Sequence, residues 1–322
     1  MLAASDWPPA APRNLDLNAS PSPPATASTA SPVFRAVLYM AIASISMVVM
    51  HVLVRHLSLA MHPFQVAFFR NVFGFLFLLP ILWRQGVAQL RPERPGLLLV
   101  RGISDAVAML CFFTALGLTP LATVTALSFT APLFATALAI PILKEVVGIR
   151  RALSLVVGFA GAVVVVRPGG ETLITAGAAL TLVSAFFWGL ALVFIKLLSR
   201  TESTVSITFY AAVVLMPITL VAALPFWSWP SLDQLGWLVA LGATGTLSQL
   251  CLSQSLRLAD TSVVLPVDFT RLIWSALLGF VLFAEIPDLA TFLGGTIIFS
   301  SVVYITYRER LRGRPPLPLK VP

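Results

Sequence analysis

The sequence predicts an all-α polytopic membrane protein built as two five-helix repeats of opposite topology, and three observations carry that prediction. The 322 residues are 58% hydrophobic and 11% charged, with a mean hydropathy of +0.94, more apolar sequence than a soluble core of this size needs. Ten apolar stretches approach the ~20 residues that cross a bilayer as helix. Finally, 97–166 laid over 237–306 without a gap gives 14 identities at an offset of 140 residues. Aliphatic matches prove little in Leu- and Val-rich sequence. The rarer coincidences carry the weight: Cys111 with Cys251, Phe129-Thr130 with Phe269-Thr270, and Glu145 with Glu285.

Residues 1–33 are rich in Pro, Ala and Ser with no apolar run, so they read as a disordered tail rather than a signal peptide. The first repeat, 34–169, holds expected spans at 36–54, 64–83, 97–116, 121–143 and 151–166. The second, 170–307, holds 173–197, 204–225, 235–256, 262–283 and 288–307, and 308–322 form a basic tail. With the N-terminus in the cytoplasm, 17 of the 21 Lys and Arg fall inside, only Arg55 and Arg167 fall outside, and Arg70 and Arg271 lie within spans. That asymmetry is the positive-inside pattern, and it places both termini and the basic tail in the cytoplasm. Five spans per repeat is an odd number, so the second copy enters the membrane with opposite polarity.

The net charge of +8 does not point to nucleic acid, because the basic residues sit in short loops and the tail with no aromatic-basic patch. Only three of the 21 are Lys, which hints at a GC-rich bacterial coding sequence. The two cysteines occupy equivalent positions inside spans and read as small buried side chains, with neither disulfide nor metal spacing. His51, His56 and His62 cluster at the outer end of the first span without a Cys or a firm carboxylate, so no metal and no cofactor is expected.

Ionisable groups inside spans cost about 2.5–3.5 kcal/mol at the centre, so each is a functional hypothesis. Arg70, about seven residues into the second span, can hold a carboxylate or phosphate through its planar fork, or snorkel. Its repeat equivalent is Tyr210, an uncharged donor. Asp268 and Arg271 share a face of the ninth span, as an internal ion pair or as a proton acceptor with its modulator. Asp105 has Arg101 one turn earlier, which makes it an interfacial pair or a second titratable group. Glu145 and Glu285 follow the fourth and ninth spans on opposite sides of the membrane and read as helix-end residues with a possible gating role.

The segments HPFQVAFFRNVFGFLFLLP (62–80), ALSFTAPLFATALAIPILKEVVGIRRALSLVVGFAGAVVVVRPG (126–169), SAFFWGLALVFIKLLSRTES (184–203) and AEIPDLATFLGG (284–295) resemble the EamA-type carriers of the drug/metabolite transporter superfamily. The likeness covers 34–310. It implies two EamA repeats around a central cavity and movement of small organic solutes across the bacterial inner membrane. FFRN in the second span and ALSFTAPLF in the fourth look most like the branch with S-adenosylmethionine uptake carriers and riboflavin importers. The resemblance places Phe129, Phe269, Trp188 and Trp274 on spans around the cavity, where a ring can stack on a flat or cationic solute. Small residues at Gly158, Gly161, Gly294 and Gly295 read as points of close helix approach.

The expected function is a secondary transporter for a small metabolite, with an amino acid, nucleoside, S-adenosylmethionine or vitamin-like solute as partner and protons as a candidate coupling ion. A lipid-linked solute flippase on the same scaffold is the alternative. An intramembrane enzyme is a weaker one, because HExxH, GxSxG and P-loop motifs are missing and no catalytic residue is assigned. A channel would repeat its charged ring around an axis, and these charges are not symmetric between the halves. The sequence fixes no oligomeric state.

Overall fold

The computed structural model describes residues 32–85, 92–144, 148–167, 172–202, 204–259, 261–286 and 288–311; Glu145, the expected tail up to residue 31 and the last residues from 312 lie outside these. The described residues are helical, with short connections. In chain order the helices are α1 (Pro32–Leu57), α2 (Pro63–Gln85), α3 (Pro95–Leu118), α4 (Leu121–Ser128), α5 (Ala131–Leu143) and α6 (Ile149–Val166). They continue as α7 (Thr172–Leu198), α8 (Thr204–Ala223), α9 (Leu232–Leu258), α10 (Thr261–Asp268), α11 (Thr270–Phe283) and α12 (Leu289–Leu311). Among the described residues, ten stretches are long and apolar enough to span a membrane.

Two of those spans, Leu121–Leu143 and Val263–Phe283, stand where the sequence places the fourth and ninth, and each is interrupted once within its length. The breaks fall on the repeated Phe-Thr pair, between α4 and α5 and between α10 and α11. Each threonine turns its hydroxyl back onto a carbonyl three residues earlier, Thr130 to Leu127 and Thr270 to Val267, both at 2.7 Å. This competes with regular helical bonding. Pro132 just after the first break and Pro266 just before the second each lack an N–H, removing one further rung. Asp268, the last residue of α10, and Arg271, the second of α11, still pair at 2.7 Å across the interruption, which is the internal ion pair their spacing offers.

The repeats interlock. The most extensive helix interfaces are α3 on α7 and α1 on α9, which the 140-residue offset makes one interface formed twice. Likewise α2 lies on α9 as α8 lies on α3. Side-chain contacts fall at alternate ends of the bundle, as ten crossings require. One end holds Arg55 with Glu285, Gln65 with Ser228, and Arg167 with Asp288 at 3.0 Å. At the other, Glu202 accepts from the backbone N–H groups of Glu93 at 2.6 Å and Arg94 at 2.9 Å.

Lipid is as apolar as a leucine side chain, so helix association rests on close packing. On α6 and α12, a Cβ added at Gly294 would lie 2.5 Å from the Gly161 carbonyl oxygen, so the two backbones touch. Gly158 faces Leu133 and Ser301, and Gly295 faces Leu272 and Ala126. The fully buried Phe112, Phe113, Leu116 and Leu241 anchor one core cluster; Leu127, Leu133, Leu272 and Ile298 anchor the other.

Candidate functional site

Helix α1 forms a wall shared by two polar clusters. In the first, the Asp268 carboxylate accepts from Arg271 Nη2 at 2.7 Å and from Ser44 Oγ of α1 at 3.2 Å. The two charged side chains keep 18% exposure each, so the pair is recessed but not sealed. The Arg271 guanidinium lies 4.7 Å above the Phe129 ring, joining the second helix break to the first. Phe129 and Phe269 approach to 5.4 Å, and Phe269 stacks on Phe299 at 4.0 Å. The two Phe-Thr breaks therefore meet, with an ion pair and three rings between them.

The second cluster surrounds Arg70 on α2. A Cβ at Gly245 of α9 would come within 3.2 Å of Arg70 Nε and Nη2 and 3.0 Å of Met50 Sδ on α1, so the guanidinium occupies the space that glycine leaves. Arg70 Nη1 donates to Asn71 Oδ1 at 3.3 Å, while its buried Nε has no partner. The Asn71 amide also reaches Thr219 Oγ1 and Met109 Sδ, each at 3.4 Å. Asp105 pairs with Arg101 at 3.0 Å, the expected one-turn bond, and lies within the electrostatic reach of Arg70. Gly245 is the repeat equivalent of Asp105 and Tyr210 that of Arg70, so this cluster exists in one half only. Tyr210 instead packs against Leu98, Leu198 and Ile207.

The sequence groups His51 with His56 and His62, and the structure separates them. It lies within α1, 2% exposed, with its ring edge-on to Phe112 at 5.0 Å and Nδ1 without a partner. Phe112 in turn contacts Trp188 at 5.0 Å. One residue from Met50 on the shared wall, His51 lies within the electrostatic reach of Arg271. The signal for it was an ionisable group inside a span. His62 is at a loop, stacked on Phe226 at 3.7 Å, where burial holds its imidazole below the usual range. Trp274 is 37% exposed and stands apart from the ring contacts described above.

At the end of the bundle that carries Arg55, Glu285 does more than close a turn. Its Oε1 lies 2.5 Å from Arg55 Nη2, and its Oε2 accepts the Leu121 N–H, the first of α4, at 2.8 Å. Arg55 Nη1 donates to the carbonyls of Leu116 and Thr119, both at 2.8 Å. One ion pair thus fastens α1, the corner between α3 and α4, and the end of α11. Burial raises the Glu285 carboxyl above its ordinary range, opposed by the Leu121 N–H and by Arg55. Sequence spacing gave no sign of this pair, because its members are 230 residues apart.

Comparison with known proteins fits this arrangement. The model of the EamA-like transporter family matches twice, at residues 34–167 and 175–307. An S-adenosylmethionine uptake transporter of Rickettsia bellii is 31% identical over 80% of this chain and 89% of its own. A riboflavin transporter of Vibrio cholerae is 31% identical over 77% of this chain and 84% of its own. A pseudopaline exporter of Pseudomonas aeruginosa is 30% identical over 85% and 96%. A crystal structure 19% identical superposes with a TM-score of 0.58 over 86% of this chain and 99% of that one, which shows a shared fold. With two family matches covering nearly all ten spans and relatives that are transporters, the chain belongs to the EamA-like transporter family and is a multi-pass membrane protein for small-molecule transport.

Proposed function

We propose that the protein is a secondary carrier of a bacterial inner membrane that moves a small zwitterionic or cationic metabolite by alternating access, with S-adenosylmethionine the leading substrate. The observation that carries this reading is the meeting of two broken spans, one from each repeat, beside intramembrane charge. Discontinuous helices at a repeat interface are where carriers of this kind bind solute. Arg70, with an unpartnered Nε, offers its fork to a carboxylate. Phe129, Phe269 and Phe299 offer faces to a flat heterocycle or a sulfonium cation. The relatives named for S-adenosylmethionine and riboflavin support a solute with a flat ring system.

In the proton-coupled form of this reading, Asp268 is the exchanging carboxylate, freed when Arg271 breaks its 2.7 Å bond to it. The Arg55–Glu285 clamp is the gate at its end of the bundle. A lipid-linked substrate would need Arg70 or Arg271 open to the headgroup region, and both lie inside the bundle.

The test is uptake into proteoliposomes from a labelled panel of amino acids, S-adenosylmethionine, riboflavin and nucleosides, with and without an imposed pH gradient. Saturable uptake of S-adenosylmethionine is the expected result, and its collapse without the gradient would assign proton coupling. No uptake of any panel member would remove the reading.

A further inference from the structure

His51 is an ionisable side chain inside a span that neither polar cluster uses, and the register of α1 places it. Ser44, His51 and Arg55 are seven and four residues apart, which at 3.6 residues per turn keeps them within ~40° of one another on a single face. At 1.5 Å per residue, His51 stands ~10 Å beyond Ser44 and ~6 Å short of Arg55. Both neighbours on that face hold a carboxylate of the second repeat. Ser44 Oγ donates to Asp268 at 3.2 Å, and Arg55 pairs with Glu285 at 2.5 Å. Along α1, an imidazole thus lies between the level of Glu285 at one end of the bundle and the level of Asp268 inside it.

Packing does not account for this histidine. The equivalent position in the second repeat is Ala191, buried to the same 2%, so the fold fills this place with a methyl group. Nδ1 of His51 has no hydrogen-bond partner among the described residues, a cost that an alanine avoids. The helices packed on α1 carry Arg70 and Arg84 on α2, Arg101, Asp105 and Cys111 on α3, Asp268 on α10 and Arg271 on α11, with Glu285 beyond it. On α9 the titratable groups are Cys251 and, at the two ends, Asp233 and Arg257. The charge that reaches the imidazole is that of Arg271, the residue bonded to Asp268.

We propose that His51 relays protons between the Glu285 end of the bundle and Asp268, one ring nitrogen taking a proton as the other releases one. This role belongs to the proton-coupled form of the carrier reading and rests on it. One proton enters and one leaves, so the ring is neutral before and after, and its rotation restores the starting tautomer. Opening of the Arg55–Glu285 pair admits water and the proton from that end, and rupture of the Arg271–Asp268 bond frees the carboxylate that receives it.

The full chain in proteoliposomes with a trapped pH dye tests the relay, with labelled S-adenosylmethionine followed in two modes. One is accumulation driven by a pH gradient; the other is exchange against unlabelled solute at equal pH. His51→Gln removes the second exchangeable ring nitrogen, and His51→Ala matches what the second repeat carries at this place. Each should lower gradient-driven accumulation and its dye signal roughly 100-fold, the scale of a positioned proton-transfer group, while exchange continues. His56→Gln, at an exposed ring 5.6 Å from Trp237, should change neither mode. Accumulation and proton entry at the unsubstituted rate in both His51 variants would overturn the relay and leave the carrier reading standing. Exchange lost in step with accumulation would also overturn it, as the pattern of a packing or solute-contact residue. Uptake by the unsubstituted protein that ignores the gradient would remove the proton-coupled reading itself, and the relay with it.

Discussion

Arg70 rests on the bare backbone of Gly245, and that contact sets what either position tolerates. Arg70→Ala should lower uptake roughly 10–100-fold, the effect of losing a charge-assisted hydrogen bond, while leaving membrane insertion intact. Arg70→Lys keeps the charge but loses the fork, and should recover only part of the rate. Glu285 yields a pH prediction. Its carboxyl is raised above the ordinary glutamate value of 4.5, so the folded protein holds that proton more tightly than the unfolded chain. The stability from this group is full below that value and is lost as pH climbs into the raised range. Glu285→Gln should remove that slope when thermal unfolding in detergent is followed across about pH 4 to 8. Ala284 and Lys144, equivalent residues in the two repeats, both end their helices in the left-handed region, with φ of 54° and 52°. Ala284→Gly should therefore raise stability by about 0.5–1 kcal/mol in the same assay. Of these residues, the Arg101–Asp105 bond was legible from sequence because it is local. The Arg55–Glu285 pair was not, because only the folded bundle brings α1 to the end of α11.

In the proposed carrier, the helix breaks are where the elements meet the solute path. A mostly apolar run of this length reads as one span, even with Asp268 and Arg271 inside the ninth, so the hydrophobic pattern locates the fourth and ninth spans without showing where each is interrupted. The clue was in the repeat itself: Phe129-Thr130 and Phe269-Thr270 survive in both copies, and each threonine bonds the carbonyl three residues back. Thr130→Val and Thr270→Val should each cost about 1 kcal/mol, and together they should impair transport more than their summed effect on stability explains. The seam between α6 and α12 is the opposite kind of element, rigid and close-packed. Gly294→Val forces a side chain onto the Gly161 carbonyl and should destabilise the protein by about 1–3 kcal/mol in thermal unfolding. That glycines would mark a close approach was legible; which glycine meets which was not, because packing partners are set by the interlocking of the repeats.

For the whole molecule, the inverted repeat is the organising fact, and it follows from five spans per copy. Its halves are unequal where it matters. Arg70 and Asp105 face Tyr210 and Gly245 across the offset, and Asp268 and Arg271 correspond to Ser128 and Ala131. Each charged cluster thus comes from one half alone, Arg70 and Asp105 from the first and Asp268 and Arg271 from the second. Opposite polarity also fixes which loops share a side. In a chain with Cys111 and Cys251 replaced, Leu59→Cys should react with a membrane-impermeant maleimide on intact cells, and Ser199→Cys should react only after lysis. Labelling of both from one side would refute the ten-span topology.

Alternating access is the central claim, and exchange tests it most directly. Proteoliposomes preloaded with unlabelled S-adenosylmethionine should take up the labelled solute faster than empty ones, with saturation, and Arg70→Ala should abolish the acceleration. Flux that rises linearly with concentration, is indifferent to preloading and persists in Arg70→Ala would contradict the account.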